Sequence, residues 1–140
     1  MINSIAYIKR DHMKIRETLD LIEEAINEDK INYLNVVRKF EDFKNIWDKH
    51  EKREEHLLYF FQQLGRPFPV ESMFLEQHRE LRGHWKVLEN AMKLNDVKKL
   101  DVVLDTDGRM LINKIRGHIN KEDRFFEMFV VKKEVVAENG

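Results

Sequence analysis

Four of the six histidines in this sequence lie within regular patterns of apolar residues, where polar side chains are uncommon. Apolar residues recur at alternating spacings of three and four along four segments, which is typical of helix faces that pack into a bundle. Each pattern contains one histidine, and two patterns contain a glutamate four residues after it, on the same helix face. The set predicted to face the core comprises His12, His50, Glu54, His78, His118 and Glu122.

These six residues are also predicted to lie at one level of the bundle. If neighbouring helices run in opposite directions, the starts of the first and third helices share one end of the bundle with the finishes of the second and fourth. Each of the six residues lies about 8 to 14 residues from that end, which at roughly 1.5 Å per residue is about 12 to 21 Å. We therefore expect the six side chains to meet in one slab of the core.

Buried carboxylates and imidazoles at one level indicate a metal site. An ionised carboxylate that is buried without partners is strongly unfavourable, and a bound metal ion offsets that cost. Imidazole and carboxylate together suit iron, manganese or zinc, and two carboxylates between two histidine pairs suit a dinuclear centre. The chain has no cysteine, which excludes disulfides, thiol catalysis, iron–sulfur clusters and thiolate zinc sites. The alternative is a purely structural network of core residues.

Four long helices are predicted to position these residues, all within a single domain spanning residues 1–140. The expected helices cover about residues 3–27, 31–64, 70–94 and 96–131. The second is expected to end at Gly65, before Arg66 and Pro67, and either Asn95 or Asp96 is expected to cap the fourth. Because short connections between long helices make antiparallel neighbours, the sequence predicts an all-α, up-down-up-down antiparallel four-helix bundle.

Composition argues against several other classes of structure and partner. Five glycines and two prolines are few for a protein with many turns, which disfavours an all-β sandwich. Twenty-five basic and twenty-six acidic residues give a net charge of −1, without the basic excess that nucleic-acid binding requires. The sequence shows neither a signal-peptide pattern nor a stretch of about 20 apolar residues. We expect a cytoplasmic protein that binds neither nucleic acid nor a membrane.

The segments around the histidines resemble those of the hemerythrin-like, or HHE cation-binding, family. The resemblance covers nearly the whole chain and rests on the order and spacing of four motifs, Asp11–Arg16, His50–Glu55, Glu76–Leu81 and His118–Asp123. It implies a non-haem di-iron site in a four-helix bundle. The four histidines of the set would be terminal ligands, and Glu54 and Glu122 would be bridging ligands.

Two departures from the oxygen-carrying members affect the function that the resemblance implies. The carriers have a second histidine one turn after the one matched by His78, where this chain has Arg82, so reversible oxygen carriage is disfavoured. The carriers also use an aspartate that matches Asp123, whereas the inward pattern here favours Glu122. The set is more similar to the iron-sensing and iron-centre-repair branches, and the iron-sensing branch makes Glu51 a further candidate ligand.

With four histidines and two bridging carboxylates, each iron would have about four protein donors and open positions for a small ligand. We expect two iron ions, with zinc or manganese as alternatives, and a ligand that is dioxygen, another diatomic molecule or peroxide. The expected function is to bind or react with dioxygen, or to sense iron or redox state. The alternatives are peroxide or nitric oxide processing, iron-centre repair, and a metal-independent interaction bundle.

Apolar residues are expected to close the site on both sides, and some of them to enclose a pocket for a gas molecule. Those predicted on the deeper side are Trp47, Leu81, Trp85, Leu111 and Ile115. Those predicted on the side nearer the end of the bundle are Leu57, Phe61, Phe74 and Phe125. The remaining histidines, His56 and His84, each lie six residues from a proposed ligand, about 240° around the helix, and are expected outside the metal site.

Overall fold

The computed structural model describes the backbone of residues 2–65, 71–94 and 96–139, and the side chains of residues 5–65, 72–94 and 96–127. These residues are helical apart from short connections, and no strand occurs among them. The helices are α1 (Ile2–Ile26), α2 (Tyr33–Gln63), α3 (Glu71–Lys93), α4 (Val97–Val103) and α5 (Arg109–Asn139), with a π-helical turn at Leu104–Gly108. The all-α four-helix prediction is confirmed.

The ends of the first three helices lie within two residues of their predicted positions. Asn32 caps α2 by accepting a hydrogen bond from the backbone N–H of Asn35 at 3.2 Å. After α2, Gly65 adopts a φ of +69°, the left-handed conformation that favours glycine at a helix end. Several residues of the predicted boundaries lie outside the described part of the chain, namely Arg66, Pro67, Val70 and Asn95.

The fourth predicted helix is interrupted where a regular helix was expected. The sequence predicts one regular helix over about residues 96–131, followed by a tail that either continues the helix or frays, but a π-helical turn separates α4 from α5. The tail continues the helix, since α5 extends to Asn139. The backbone stays in the right-handed helical region at Val103, Leu104 and Arg109, so the three segments form one continuous rod. Its N-cap is Asp96, whose carboxylate accepts from the backbone N–H groups of Lys98 and Lys99 at 3.1 and 3.3 Å.

Contacts between α1 and α5 run in opposite order along the two helices. On α5, Asp123 contacts Arg16 at 2.5 Å, and Arg116 contacts Asp20 at 2.6 Å. Directly after the end of α1, Asn27 accepts a hydrogen bond from Arg109 at 2.8 Å. A residue that comes later in α1 thus contacts one that comes earlier in α5, as in antiparallel neighbours.

The apolar core is divided into two clusters. The larger includes Ile15, Trp47, Leu81 and Ile115, and the smaller comprises Ile5, Ile8, Leu57, Leu58, Phe61, Phe74 and Phe126. The six predicted polar residues are distributed over the four long helices. On each helix they lie between a residue of one cluster and a residue of the other. The polar slab is therefore enclosed by apolar side chains from above and below.

Two of the predicted lining residues are less buried than expected. Phe126 is fully buried in the smaller cluster, whereas Phe125 is only partly buried beside it. Trp85 is likewise half-buried at the edge of the larger cluster, where its indole N–H donates to Glu89 at 2.8 Å.

Within the described residues, none of the helices is both long enough and apolar enough to cross a membrane.

Candidate metal centre

All six predicted polar residues are buried at the same level. Helix α1 contributes one histidine, α2 a histidine and a glutamate, α3 one histidine, and α5 a histidine and a glutamate. Their exposed fractions do not exceed 2% for His12, His50, Glu54, His78, His118 and Glu122. Since charged side chains are almost never this buried without partners, the contacts among these six decide what the slab can do.

The histidines form two pairs of similar geometry. The ring centroids of His12 and His50 are 4.9 Å apart with an interplanar angle of 65°, and those of His78 and His118 are 4.9 Å apart at 63°. In the second pair the two Nε2 atoms face each other at 3.2 Å. Two ring nitrogens that converge in this way present two lone pairs to one point when both are deprotonated.

Each glutamate reaches both histidine pairs. The Oε1 atom of Glu54 lies 3.1 Å from Nε2 of His78 and 3.4 Å from Nε2 of His118, while its Oε2 atom lies 3.1 Å from Nε2 of His50. The Oε1 atom of Glu122 contacts Nε2 of His118, and its Oε2 atom lies 3.5 Å from Nε2 of His12. The two carboxylates thus span the space between the pairs, as bridging ligands of a dinuclear centre would.

Six buried atoms of this slab make no hydrogen bond within the described part of the chain. They are Nε2 of His12, Nε2 of His50, and both carboxylate oxygens of Glu54 and of Glu122. Leaving a buried polar atom without a hydrogen bond costs about 1 to 3 kcal/mol, and more for a charged group. All six atoms are of the types that coordinate iron, manganese or zinc, so a bound metal would satisfy them.

Close groups of potential ligand atoms correspond to these pairs. One group contains Glu54, His78, His118 and Glu122, and another contains His12, His50 and Glu122, with the candidate atoms of each group within 4.8 Å of one another. The donor set and its unsatisfied atoms therefore fit a metal site. Two such groups that share Glu122 fit a pair of metal positions, which we call the His78–His118 position and the His12–His50 position.

The histidines direct Nε2 inward because their other ring nitrogens have partners outside the slab. In each case the acceptor belongs to a neighbouring helix. The Nδ1 contacts are His12 with Asp123 at 2.6 Å, His50 with Asp11 at 3.3 Å, His78 with Glu55 at 3.2 Å and His118 with Gln77 at 2.5 Å. Such contacts fix the tautomer and orientation of metal-binding histidines. Sequence reasoning missed Asp11, Glu55 and Gln77, although each is adjacent in sequence to a proposed ligand.

Two of the Nδ1 acceptors, both aspartates, are also in contact with arginines. Arg53 contacts Asp11 at 2.5 Å, and Arg16 contacts Asp123 at the same distance. Burial raises the pKa of Asp123, but hydrogen bonds from His12 and Arg16 outweigh this effect and lower it below its usual value. Hydrogen bonds from His50 and Arg53 likewise outweigh burial and lower the pKa of Asp11. Both aspartates are therefore held as anions beside the imidazole rings.

The two additional candidate ligands lie outside the inner slab. Asp123 contacts Nδ1 of His12, the ring nitrogen that points away from the centre. Glu51 is buried and contacts Arg82, and its carboxylate lies 3.8 Å from Nδ1 of His78. Glu51 forms a separate group with Glu55 and His78, on the outer side of that imidazole. Both carboxylates therefore lie on the side of the imidazole rings that faces away from the centre.

The other two histidines lie away from the centre, as predicted. His56 is exposed, and His84 is half-buried with Nδ1 3.5 Å from Asp107. The structure places neither of them in the groups of potential metal ligands that it describes.

Trp47 covers the histidines on the side of the larger apolar cluster. Its ring centroid lies 5.2 Å from that of His50, 6.0 Å from that of His78 and 5.9 Å from that of His118. Trp47 also lines a cavity of about 20 Å³, together with residues that include Arg82, Trp85, Leu111 and Ile115. That volume accommodates about one water-sized molecule.

Contacts within the slab favour the charged forms of both a histidine and a glutamate. Burial opposes protonation of His118, but its close contacts with the carboxylates of Glu122 and Glu54 outweigh this effect and raise its pKa to about 9. Burial likewise opposes ionisation of Glu122, but its contacts with Glu54 and the surrounding histidines hold its pKa well below the usual range. A carboxylate that remains ionised inside an apolar core carries the charge that a metal cation would neutralise.

Comparison with known families agrees with this geometry. The model of the family described as hemerythrin HHE cation binding domain matches residues 3–129. The match spans all six inner residues and their outer partners. No curated protein and no solved structure matches the sequence.

Proposed function

This chain belongs to the hemerythrin HHE cation-binding family, and we propose that it is a non-haem di-iron protein that binds or reacts with dioxygen or senses iron or redox state. The family is one of metal-binding domains, and the buried histidines and glutamates fit a metal site. The observation that carries the proposal is the set of six buried donor atoms without hydrogen bonds, which are two nitrogens of the His12–His50 pair and the four carboxylate oxygens of Glu54 and Glu122. The two glutamates lie between the two histidine pairs.

The proposed ligands are the six inner residues. His12 and His50 would hold one iron, His78 and His118 the other, and Glu54 and Glu122 would bridge them. Bound iron would supply electrons and open coordination positions to a small diatomic molecule or a peroxide. Zinc and manganese suit the same donor types and are the competing metals.

The protein's own contribution is to position the donors and to exclude water. Hydrogen bonds at Nδ1 orient the four imidazole rings, while the two apolar clusters close the slab above and below. Trp47 packs against three of the rings and lines a cavity that has room for about one water-sized molecule. Dioxygen, another diatomic molecule or peroxide is the ligand that we propose.

Turnover of peroxide or nitric oxide is the second candidate function. It is favoured by Arg82, which occupies the place of the fifth histidine of the oxygen carriers and turns toward Glu51 instead of the centre. One metal position therefore has fewer protein donors than in a carrier, which leaves it more open to a reactive ligand.

The proposal is tested by anaerobic loading with ferrous iron followed by exposure to dioxygen. We expect the near-ultraviolet absorption of ferric iron to develop in the native protein and in His56→Ala, and to be absent in His50→Ala. Repeated consumption of peroxide or nitric oxide with a reductant would instead support the second candidate. An absorption spectrum that does not change on addition of iron and dioxygen would refute both functions.

A further inference from the structure

The four acceptors behind the histidines form a closed ring around the bundle. Each long helix supplies one histidine and one acceptor, and the acceptor serves the histidine of a neighbour. We call these acceptors the outer ring, consisting of Asp11, Glu55, Gln77 and Asp123. Helix α1 serves α2, α2 serves α3, α3 serves α5, and α5 serves α1. Every imidazole is thus held by a helix other than its own.

The outer ring is not uniform in charge. Behind the His12–His50 position stand two aspartates, each in contact with an arginine. The Nδ1 acceptors of the His78–His118 position are one carboxylate, that of Glu55, and one neutral amide, that of Gln77. The carboxylate of Glu51 also lies on this side, but at 3.8 Å from Nδ1 of His78 it is beyond hydrogen-bond distance. In the inner slab each position has two histidines, and each bridging glutamate contacts a histidine of both pairs. The close group of ligand atoms includes Glu54 at the His78–His118 position only, so the inner glutamates do not favour the His12–His50 position.

This difference changes how strongly each imidazole donates to a metal. A carboxylate that accepts the Nδ1–H bond increases the electron density at Nε2 and strengthens its bond to a cation. An amide oxygen accepts the same bond and fixes the same tautomer, but it contributes no negative charge. The ring of His118 is therefore oriented as firmly as that of His12 and is a weaker donor.

We propose that the outer ring positions the metal-binding histidines, and that its neutral member, Gln77, makes the His78–His118 position bind its metal more weakly than the His12–His50 position. The proposal rests on the proposed function in requiring two metal positions. It adds an order to them: the His12–His50 position fills first and releases its metal last.

The proposal is tested by measuring how substitutions in the outer ring change the affinity for metal. Substitutions in the partners of metal-binding histidines change metal affinity by about 10- to 100-fold. Anaerobic calorimetric titration with Fe²⁺ should show two steps in the native protein. Gln77→Glu should strengthen the weaker step by about 10-fold or more and bring the two steps together. Gln77→Leu, which cannot accept a hydrogen bond, should weaken that step further.

The two aspartates of the outer ring provide an independent check. Asp123→Asn and Asp11→Asn keep a hydrogen-bond acceptor and remove the charge, so each should weaken the stronger step by about 10-fold or more. Matched controls on exposed helix faces are Gln63→Glu, which adds the same charge, and Glu80→Gln, which removes one that pairs with Lys114. Both controls should leave the two steps unchanged.

The outcomes separate this proposal from the proposed function. If the native protein binds no Fe²⁺, both are overturned. If it binds two Fe²⁺ ions but Gln77→Glu and Asp123→Asn titrate like the native protein, only the outer-ring proposal is overturned. A merely structural role predicts that Gln77→Glu and Gln77→Leu weaken binding equally, and that result would also overturn it. Helical circular dichroism of each metal-free variant shows whether it is folded before titration.

Discussion

The Nδ1 atom of His118 on α5 lies 2.5 Å from the amide oxygen of Gln77 on α3, and Gln77 directly precedes another inner histidine, His78. The same relation recurs with Asp11, which precedes His12 and contacts His50. Successive residues of a helix are separated by about 100° around its axis. When one residue points into the core, its sequence neighbour therefore points toward an adjacent helix. This geometry lets each helix orient a histidine that it does not carry.

Metal binding is expected to stabilise the fold. A ligand that binds only the native state at about 100 times its dissociation constant adds about 2.7 kcal/mol to the free energy of unfolding. Thermal unfolding with and without added Fe²⁺ should show this increase in the native protein and in His84→Ala, whose side chain lies outside the centre. In His118→Ala the increase should be absent. Equal stabilisation of both variants would show that iron binds elsewhere on the chain.

Two glycines are expected to respond in opposite ways to alanine. At Gly108 a Cβ atom would meet Leu104, Val103 and Phe40 at 3.7 to 3.8 Å, which is ordinary van der Waals contact. Gly108→Ala should therefore stabilise the fold by up to about 1 kcal/mol through helix propensity. Gly65→Ala should destabilise it by about 1 kcal/mol because φ is +69° there. Chemical denaturation of both variants checks the signs, and destabilisation by Gly108→Ala would show that the π-helical turn requires a glycine.

Glu89 provides a prediction for the effect of pH on stability. Hydrogen bonds from Lys93, Trp85 and Lys44 lower its pKa to about 2. Because the pKa is lowered in the folded state, its contribution is fully present above its usual value of 4.5 and is lost as the pH falls through about 2. Glu89→Gln should cost about 1 kcal/mol or less at pH 7, since the group is partly exposed and screened. Denaturation at several pH values should show this difference shrinking between pH 4.5 and pH 2. A difference that does not depend on pH would contradict the assignment.

The spacing of apolar residues was sufficient to predict the four helices and the meeting of the six inner residues. The position of the one histidine within each apolar pattern predicts both the direction and the depth of its side chain. The spacing of apolar residues was not sufficient to predict the outer ring. Asp11 and Gln77 flank the apolar pattern, as solvent-exposed residues also do. Their partners depend on which helices are neighbours and on how those helices are rotated.

The π-helical turn and the exact packing at the end of the bundle were also missed. The consecutive spacings of four from Leu100 through Leu104 to Gly108 occur in ordinary helices as well as in wider turns. Similarly, Phe125 and Phe126 are adjacent aromatic residues, and only the rotation of α5 decides which of them is fully buried. The single domain and the cytoplasmic location remain predictions from the sequence.

Metal content is the most direct test of the central claim that the buried slab is a dinuclear centre. Protein produced with iron, and purified without added metal, should contain about two metal ions per chain by elemental analysis. His50→Ala and Glu54→Ala should lose them together, while His56→Ala, which removes an exposed histidine, should retain them. A folded native protein without metal, or a metal content that is the same in all three variants, would contradict the account.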